Sequence, residues 1–144
     1  TAPEGPACAQ VRQGFRQLLA APLVHDTRIR AAVIADPLSM VFDAQGLKNV
    51  TIPIQLWTSV YGGDGVTPES VLAVRRNLPS APDWQVAENA AHFGFLAPCP
   101  AAELAANAEI CRDGPGFDRV AFHADFNAKM AAFFRQHLVQ APKP

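Results

Sequence analysis

The stretch from Ile52 to Leu96, IPIQLWTSVYGGDGVTPESVLAVRRNLPSAPDWQVAENAAHFGFL, constrains the fold most strongly. Residues 52–60 read as a strand. Tyr61-Gly62-Gly63-Asp64-Gly65 follows, and three glycines around one Asp suit a tight turn with unusual backbone angles. Thr67-Pro68-Glu69 then opens a helix, with Thr as the cap, Pro at the first helical position and an acid in the first turn. Val71, Leu72, Val74 and Leu78 give that helix an apolar stripe, and Pro79 and Pro82 end it. Residues 84–90 read as the next strand, with Trp84, Val86 and Ala90 facing inward. Ala91-His92-Phe93-Gly94-Phe95 is the loop beyond it. Strand, helix and strand make a crossover unit whose strands run parallel, so both strands end at the same edge of the sheet. Open α/β sheets place their chemistry along that edge. It carries Asp64 after one strand and His92 after the other.

The flanking sequence fits around this unit. Residues 29–35, IRAAVIA, form a short apolar run that Asp36-Pro37 closes, as expected of a strand buried on both faces. Upstream, Val11, Phe15, Leu18 and Leu19 recur at helical spacing over residues 7–21, and Pro22 ends that helix. Residues 38–51 form a connection with a short helical turn. Pro98-Cys99-Pro100 starts a short helix that ends near Cys111. The last element, over residues 118–138, carries Phe122, Phe126, Met130, Phe133 and Phe134 on one face and is fit to lie on a sheet. The expected fold class is α/β: a short, mostly parallel sheet of about three strands with flanking helices. Residues 1–144 form a single domain in this reading, with residues 1–28 as a helical cap or connecting segment.

Composition removes several function classes. Lys and Arg number 12 against 13 Asp and Glu, and this balance without a basic stripe argues against a nucleic-acid partner. The longest apolar stretches are about five residues, far short of a membrane span. His25, His92, His123 and His137 show no H-x-x-x-H or H-E-x-x-H frame, and Cys99 and Cys111 lack a C-x-x-C spacing, so no metal site is expected. The three cysteines, Cys8, Cys99 and Cys111, are an odd count that leaves at least one thiol without an intrachain partner. The residues alone leave Cys99 and Cys111 open between a disulfide and two buried thiols. Thr1 stands where an initiating Met is absent, which suits a processed end or a truncation.

A nucleophilic triad needs an imidazole to take the proton and a carboxylate to orient it. Taken singly, Asp64 suits a turn and His92 a hydrogen-bonded loop. Together, at one edge and in the order acid then base, they point to a triad.

The chain resembles the C-terminal half of an α/β-hydrolase, in the dienelactone-hydrolase-like branch that also resembles platelet-activating-factor acetylhydrolases. The resemblance covers roughly residues 28–138. It is carried by Arg28-Ile29-Arg30-Ala31-Ala32-Val33 into Asp36-Pro37, by Ile52-Pro53-Ile54-Gln55-Leu56-Trp57 and by Asp64-Gly65-Val66-Thr67-Pro68. Glu88-Asn89-Ala90-Ala91-His92-Phe93 and Gly116-Phe117-Asp118-Arg119 complete it. It implies Asp64 as triad acid, His92 as base, hydrolysis of a small-molecule carboxylic ester, lactone or related acyl bond, and no cofactor. One departure is Ala91, where such enzymes often carry Gly; Ala there requires a negative φ. The larger departure is the nucleophile. Family members carry Ser in a G-x-S-x-G frame upstream of both other members. None of Ser39, Ser59, Ser70 and Ser80 has that frame. The resemblance therefore implies the C-terminal part of such an enzyme, inactive alone, with the nucleophile and oxyanion amides upstream of Thr1. It further implies a companion N-terminal segment, or a homodimer, covering the outer edge of the strand at residues 29–35. From exported members it implies a disulfide between Cys99 and Cys111 and a periplasmic or secreted location. The alternative from another class is a non-catalytic binding or interaction domain, in which Asp64 and His92 are ordinary loop residues.

Overall fold

A computed structural model of the chain describes residues 26–140 together with Gln10. Cys8, His25 and, apart from Gln10, the helix expected over residues 7–21 lie outside the described residues. Three parallel strands, β1 (Ala32–Ala35), β2 (Ile54–Ser59) and β3 (Asp83–Ala87), pair in the order β1-β2-β3. Ala32 faces Ile54 across the first pairing, and Leu56 faces Trp84 across the second. Among the residues described from 26 onward, four α-helices flank them: α1 (Ala44–Leu47), α2 (Pro68–Asn77), α3 (Ala108–Cys111) and α4 (Arg119–Phe134). This is the expected α/β class.

β2 is the middle strand, and all six of its residues are buried. Successive side chains point to opposite faces, so β2 feeds two separate packed layers. On one face Ile54 and Leu56 join Leu47, Val66, Val71, Val74 and Leu78 in a core under α1 and α2, with Ala32, Ile34 and Trp84 at its margin. α2 forms where the capping residues put it. The Thr67 side chain accepts from the Ser70 amide, and the Ser70 side chain accepts from the Thr67 amide, with Pro68 at the first helical position. Arg75, exposed on this helix, lies with its guanidinium 4.9 Å from the Trp84 ring centroid.

On the other face Trp57 is the anchor. Its ring meets Phe126 at 4.8 Å, Phe122 at 6.0 Å and Phe95 at 6.5 Å between centroids, all edge-on. Edge-to-face packing is the favoured geometry for such rings. Phe122 and Phe126 come from α4, whereas Phe95 belongs to the loop that carries His92. The one cluster thus fixes both the last helix and the histidine loop to the sheet. The Trp57 indole N–H donates to Gln55 Oε1 at 2.9 Å, and Gln55 Nε2 donates to Asp83 at 2.7 Å, so the polar groups on this face are satisfied.

Two expectations about elements are corrected. Val86 is 40% exposed, not inward-facing. It sits on an edge strand, and the core beneath α2 extends on that strand only to Trp84. The helix expected from residue 98 is a series of turns over 101–107, with helix only at Ala108–Cys111. Residues 101–106 are all exposed, and a short helix without a buried face does not hold. α4 ends at Phe134 and continues as one π-helical turn over Arg135–Val139.

The α2 cap and the Trp57 anchor should differ in what their loss costs. Thr67→Ala should cost about 1 kcal/mol through the lost cap, and Trp57→Ala about 3–5 kcal/mol through the emptied aromatic layer. Urea unfolding of both variants measures the contrast, with the larger drop in midpoint expected for Trp57→Ala.

Candidate functional site

Because the strands are parallel, Asp36 after β1, Ser59 at the end of β2 and His92 after β3 all stand at the carboxyl edge. Pairing continues past β2 and β3 into the loops. Tyr61 N–H donates to Ala90 C=O at 3.0 Å, and His92 N–H donates to Gly62 C=O at 2.7 Å. Ala91 has φ −88°, so Ala serves at the position before the histidine. Gly62 cannot be replaced so simply: its φ is +63°, and a Cβ there would come within 2.3 Å of Val66 O.

Asp64 and His92 do stand on adjoining loops at one edge. A Cβ added to Gly63, the residue before Asp64, would lie 3.4 Å from His92 Cβ. Yet the Asp64 side chain is exposed and makes no hydrogen bond to another described residue. Its local role is in the turn. Gly63 and Val66 exchange backbone hydrogen bonds of 2.9 Å in both directions, and between them Asp64 and Gly65 have φ +49° and +82°. Positive φ at both central residues is the requirement of a type I′ turn, for which Asp-Gly is a preferred pair.

The imidazole's carboxylate neighbour is Asp36. His92 Nδ1 lies 3.3 Å from Asp36 Oδ2. The Asp36 side chain is 1% exposed and that of His92 24%. The same carboxylate accepts the Ser59 amide on Oδ1 at 2.7 Å and the Ser59 hydroxyl on Oδ2 at 2.5 Å. Ser59 Oγ in turn accepts the Gly62 N–H at 3.1 Å. An ionised carboxylate only accepts, so a hydrogen bond from the ring to Asp36 requires the Nδ1–H tautomer, in which Nε2 carries the lone pair. Nε2 has no hydrogen-bond partner among the described residues. The order of these side chains matters. In a nucleophilic triad the histidine stands between serine and acid. Here the acid stands between serine and histidine, and Ser59 is 1% exposed, so Ser59 holds the carboxylate and is not placed to attack a substrate.

In the sequence, Asp36 reads as the close of a strand. The signal was present, since the edge argument applied to Asp64 and His92 applies equally to a carboxylate directly after β1. Asp-Pro reads first as punctuation, and that reading hid it.

A second polar cluster supports the histidine loop from behind. Asp113 Oδ1 accepts the Ala91 N–H at 3.0 Å, and its Oδ2 accepts Arg119 Nε at 3.0 Å and Nη2 at 2.7 Å. Arg119 also donates to Ile110 C=O at 3.0 Å. Both side chains of this ion pair are under one-tenth exposed. A disulfide joins Cys99 to Cys111, with Cα atoms 5.8 Å apart, and closes the segment between the histidine loop and Asp113. His123 Nε2 packs 3.1 Å from Gly94 O, and His137 lies against Phe133. Among the described residues no three His, Cys, Asp or Glu side chains gather as a metal-ligand set, and no helix is long and apolar enough to cross a membrane.

Removing one partner of a buried, hydrogen-bonded ion pair leaves the other charge uncompensated. Asp113→Ala should therefore cost about 3–5 kcal/mol. Hydrogen exchange on the same variant should show the Ala91 amide losing protection beyond the global change. No family model, curated protein or solved structure matches the chain.

Proposed function

We propose that this chain is the acid–base part of a serine hydrolase acting on carboxylic esters, lactones or related acyl bonds. The observation that carries the reading is His92 at the carboxyl edge, with Nδ1 against a buried carboxylate and Nε2 unengaged. That is the disposition a general base needs. In the reaction, Nε2 takes the proton from a serine hydroxyl as its oxygen attacks the acyl carbon. The imidazolium then returns the proton to the departing alcohol oxygen, leaving an acyl-enzyme. Water attacks the acyl carbon and gives a proton to Nε2, the imidazolium passes that proton to the serine oxygen as the acyl–serine bond breaks, and the acid product leaves. No bound group is needed. The family resemblance supplies the reaction class and puts the acid at Asp64. The serine and the oxyanion amides would come from outside these 144 residues, which contain no G-x-S-x-G frame.

The reading extends to a partner. Among the described residues β1 pairs only with β2, so its outer edge carries no strand. Beside it lies an apolar cavity of about 220 Å³ lined by Ile34, Pro37, Phe42, Leu47, Val50, Val74 and Leu78. Unpaired apolar edges invite strand addition. A companion segment bearing the serine would pair there, and a second copy of the chain would do so in its absence.

A second reading, a non-catalytic binding or interaction domain, is favoured by the turn role of Asp64 and by this cavity. Labelling the protein from its source with a fluorophosphonate probe separates the two. The hydrolase reading expects label on a serine in a G-x-S-x-G frame beyond these residues, and His92→Ala should slow both labelling and ester hydrolysis by about 10²–10⁴-fold. No labelled serine, or a rate indifferent to His92, leaves the binding domain. Light scattering of the isolated chain at micromolar concentration should report a dimer, and a monomer counts against the edge pairing.

A further inference from the structure

We infer that Asp36, rather than Asp64, is the carboxylate that orients His92, and that Ser59 is the residue that positions Asp36. The chemical use of this pairing rests on the hydrolase reading; its geometry does not. Two acidic residues stand at the carboxyl edge near the imidazole, and three differences separate them.

The first is engagement. Asp36 lies 3.3 Å from the ring nitrogen, whereas Asp64 makes no hydrogen bond to another described residue. The second is burial. Asp36 is 2% exposed and Asp64 is exposed to solvent. A carboxylate holds an imidazolium more strongly where water does not screen it. The third is fixation. Asp36 accepts from the Ser59 amide and the Ser59 hydroxyl. The hydroxyl accepts from Gly62 N–H, so its own proton is directed at Asp36 Oδ2. That oxygen therefore has a fixed position toward the ring. Asp64 is committed to a turn whose backbone angles explain an Asp-Gly pair with no further role.

The backbone at Asp36 supports the same conclusion. Its φ is +44°, a left-handed conformation that Asp adopts more readily than most residues. The side chain meets Ser59 at the end of β2. When Nε2 accepts the serine proton, the Nδ1 proton stays on Nδ1 and Asp36 stays ionised. The pair then carries one positive and one negative charge, and no further proton moves.

The test is nitrogen-15 NMR of His92 in the full chain, which reads the tautomer of the neutral ring without requiring turnover. The wild type should show the Nδ1–H form with a slowly exchanging, low-field Nδ1 proton. Asp36→Asn should abolish that proton resonance and shift the ring toward the Nε2–H form. Ser59→Ala should speed exchange of the Nδ1 proton at least several-fold while keeping the tautomer. Asp64→Asn should change neither. A spectrum that responds to Asp64→Asn overturns the inference. So does a wild-type ring in the Nε2–H form, or one indifferent to Asp36→Asn. If Asp36→Asn fails to fold, the wild-type tautomer and the Asp64→Asn spectrum still decide, since Asp64 is exposed. Failure here moves the acid but leaves the serine-labelling result intact. Failure of the labelling experiment removes the hydrolase chemistry without altering which carboxylate holds the ring.

Discussion

The Asp36 carboxylate ties three chain segments together where the sheet ends. It receives the amide and hydroxyl of Ser59 from the end of β2 and faces His92 from the loop after β3, while itself following β1. A buried ionised group is costly unless hydrogen bonds compensate it. The compensation comes from residues that are far apart in sequence and adjacent only when the three strands are in register. The carboxylate therefore makes the loop arrangement at this edge conditional on correct strand pairing. Were β1 to slip by one residue against β2, the side chains of β1 would change faces and the donors of Ser59 would meet an alanine or a proline.

The histidine loop is held from two further directions. Phe95 locks it to Trp57 and α4 through apolar packing, and Asp113 holds its backbone at Ala91. Asp113 is itself fixed by Arg119 at the first turn of α4, and the disulfide shortens the path between the loop and that turn. A Cβ on Gly94 would lie 2.8 Å from Asp113 Oδ1, which shows how closely the loop and its brace approach. Precision of this sort is what proton transfer requires of a base, because the reacting atoms must stay within hydrogen-bond reach.

Much of the scaffold was legible because its determinants are local. Thr67-Pro68 marks a helix start by capping chemistry, and the glycines around Asp64 mark a turn by their φ values. The cysteine pairing came from the family resemblance, since spacing alone left it open. What escaped the sequence is long-range. The Asp36–His92 pairing depends on strand order and register, which no window of residues encodes. The Asp113–Arg119 brace lies in an irregular segment without periodicity. Val86 was misplaced because alternation gives a face but does not say whether anything covers it.

β2 also shows why the Asp36–Ser59 pair is at one end of the sheet and not along it. Apart from Gln55, its amino-terminal part is apolar through Trp57, and its last two residues are Thr58 and Ser59, as buried as the rest. Thr58 satisfies its hydroxyl on the chain itself, at Ser59 C=O. Ser59 instead turns its hydroxyl to another strand's carboxylate. A polar side chain could not be buried there without that acceptor, and the acceptor could not be buried without the serine. Each makes the other tolerable, and the imidazole is placed beside a charge that water does not reach. The polarity change along a single central strand thus accounts both for where the charge sits and for which histidine faces it.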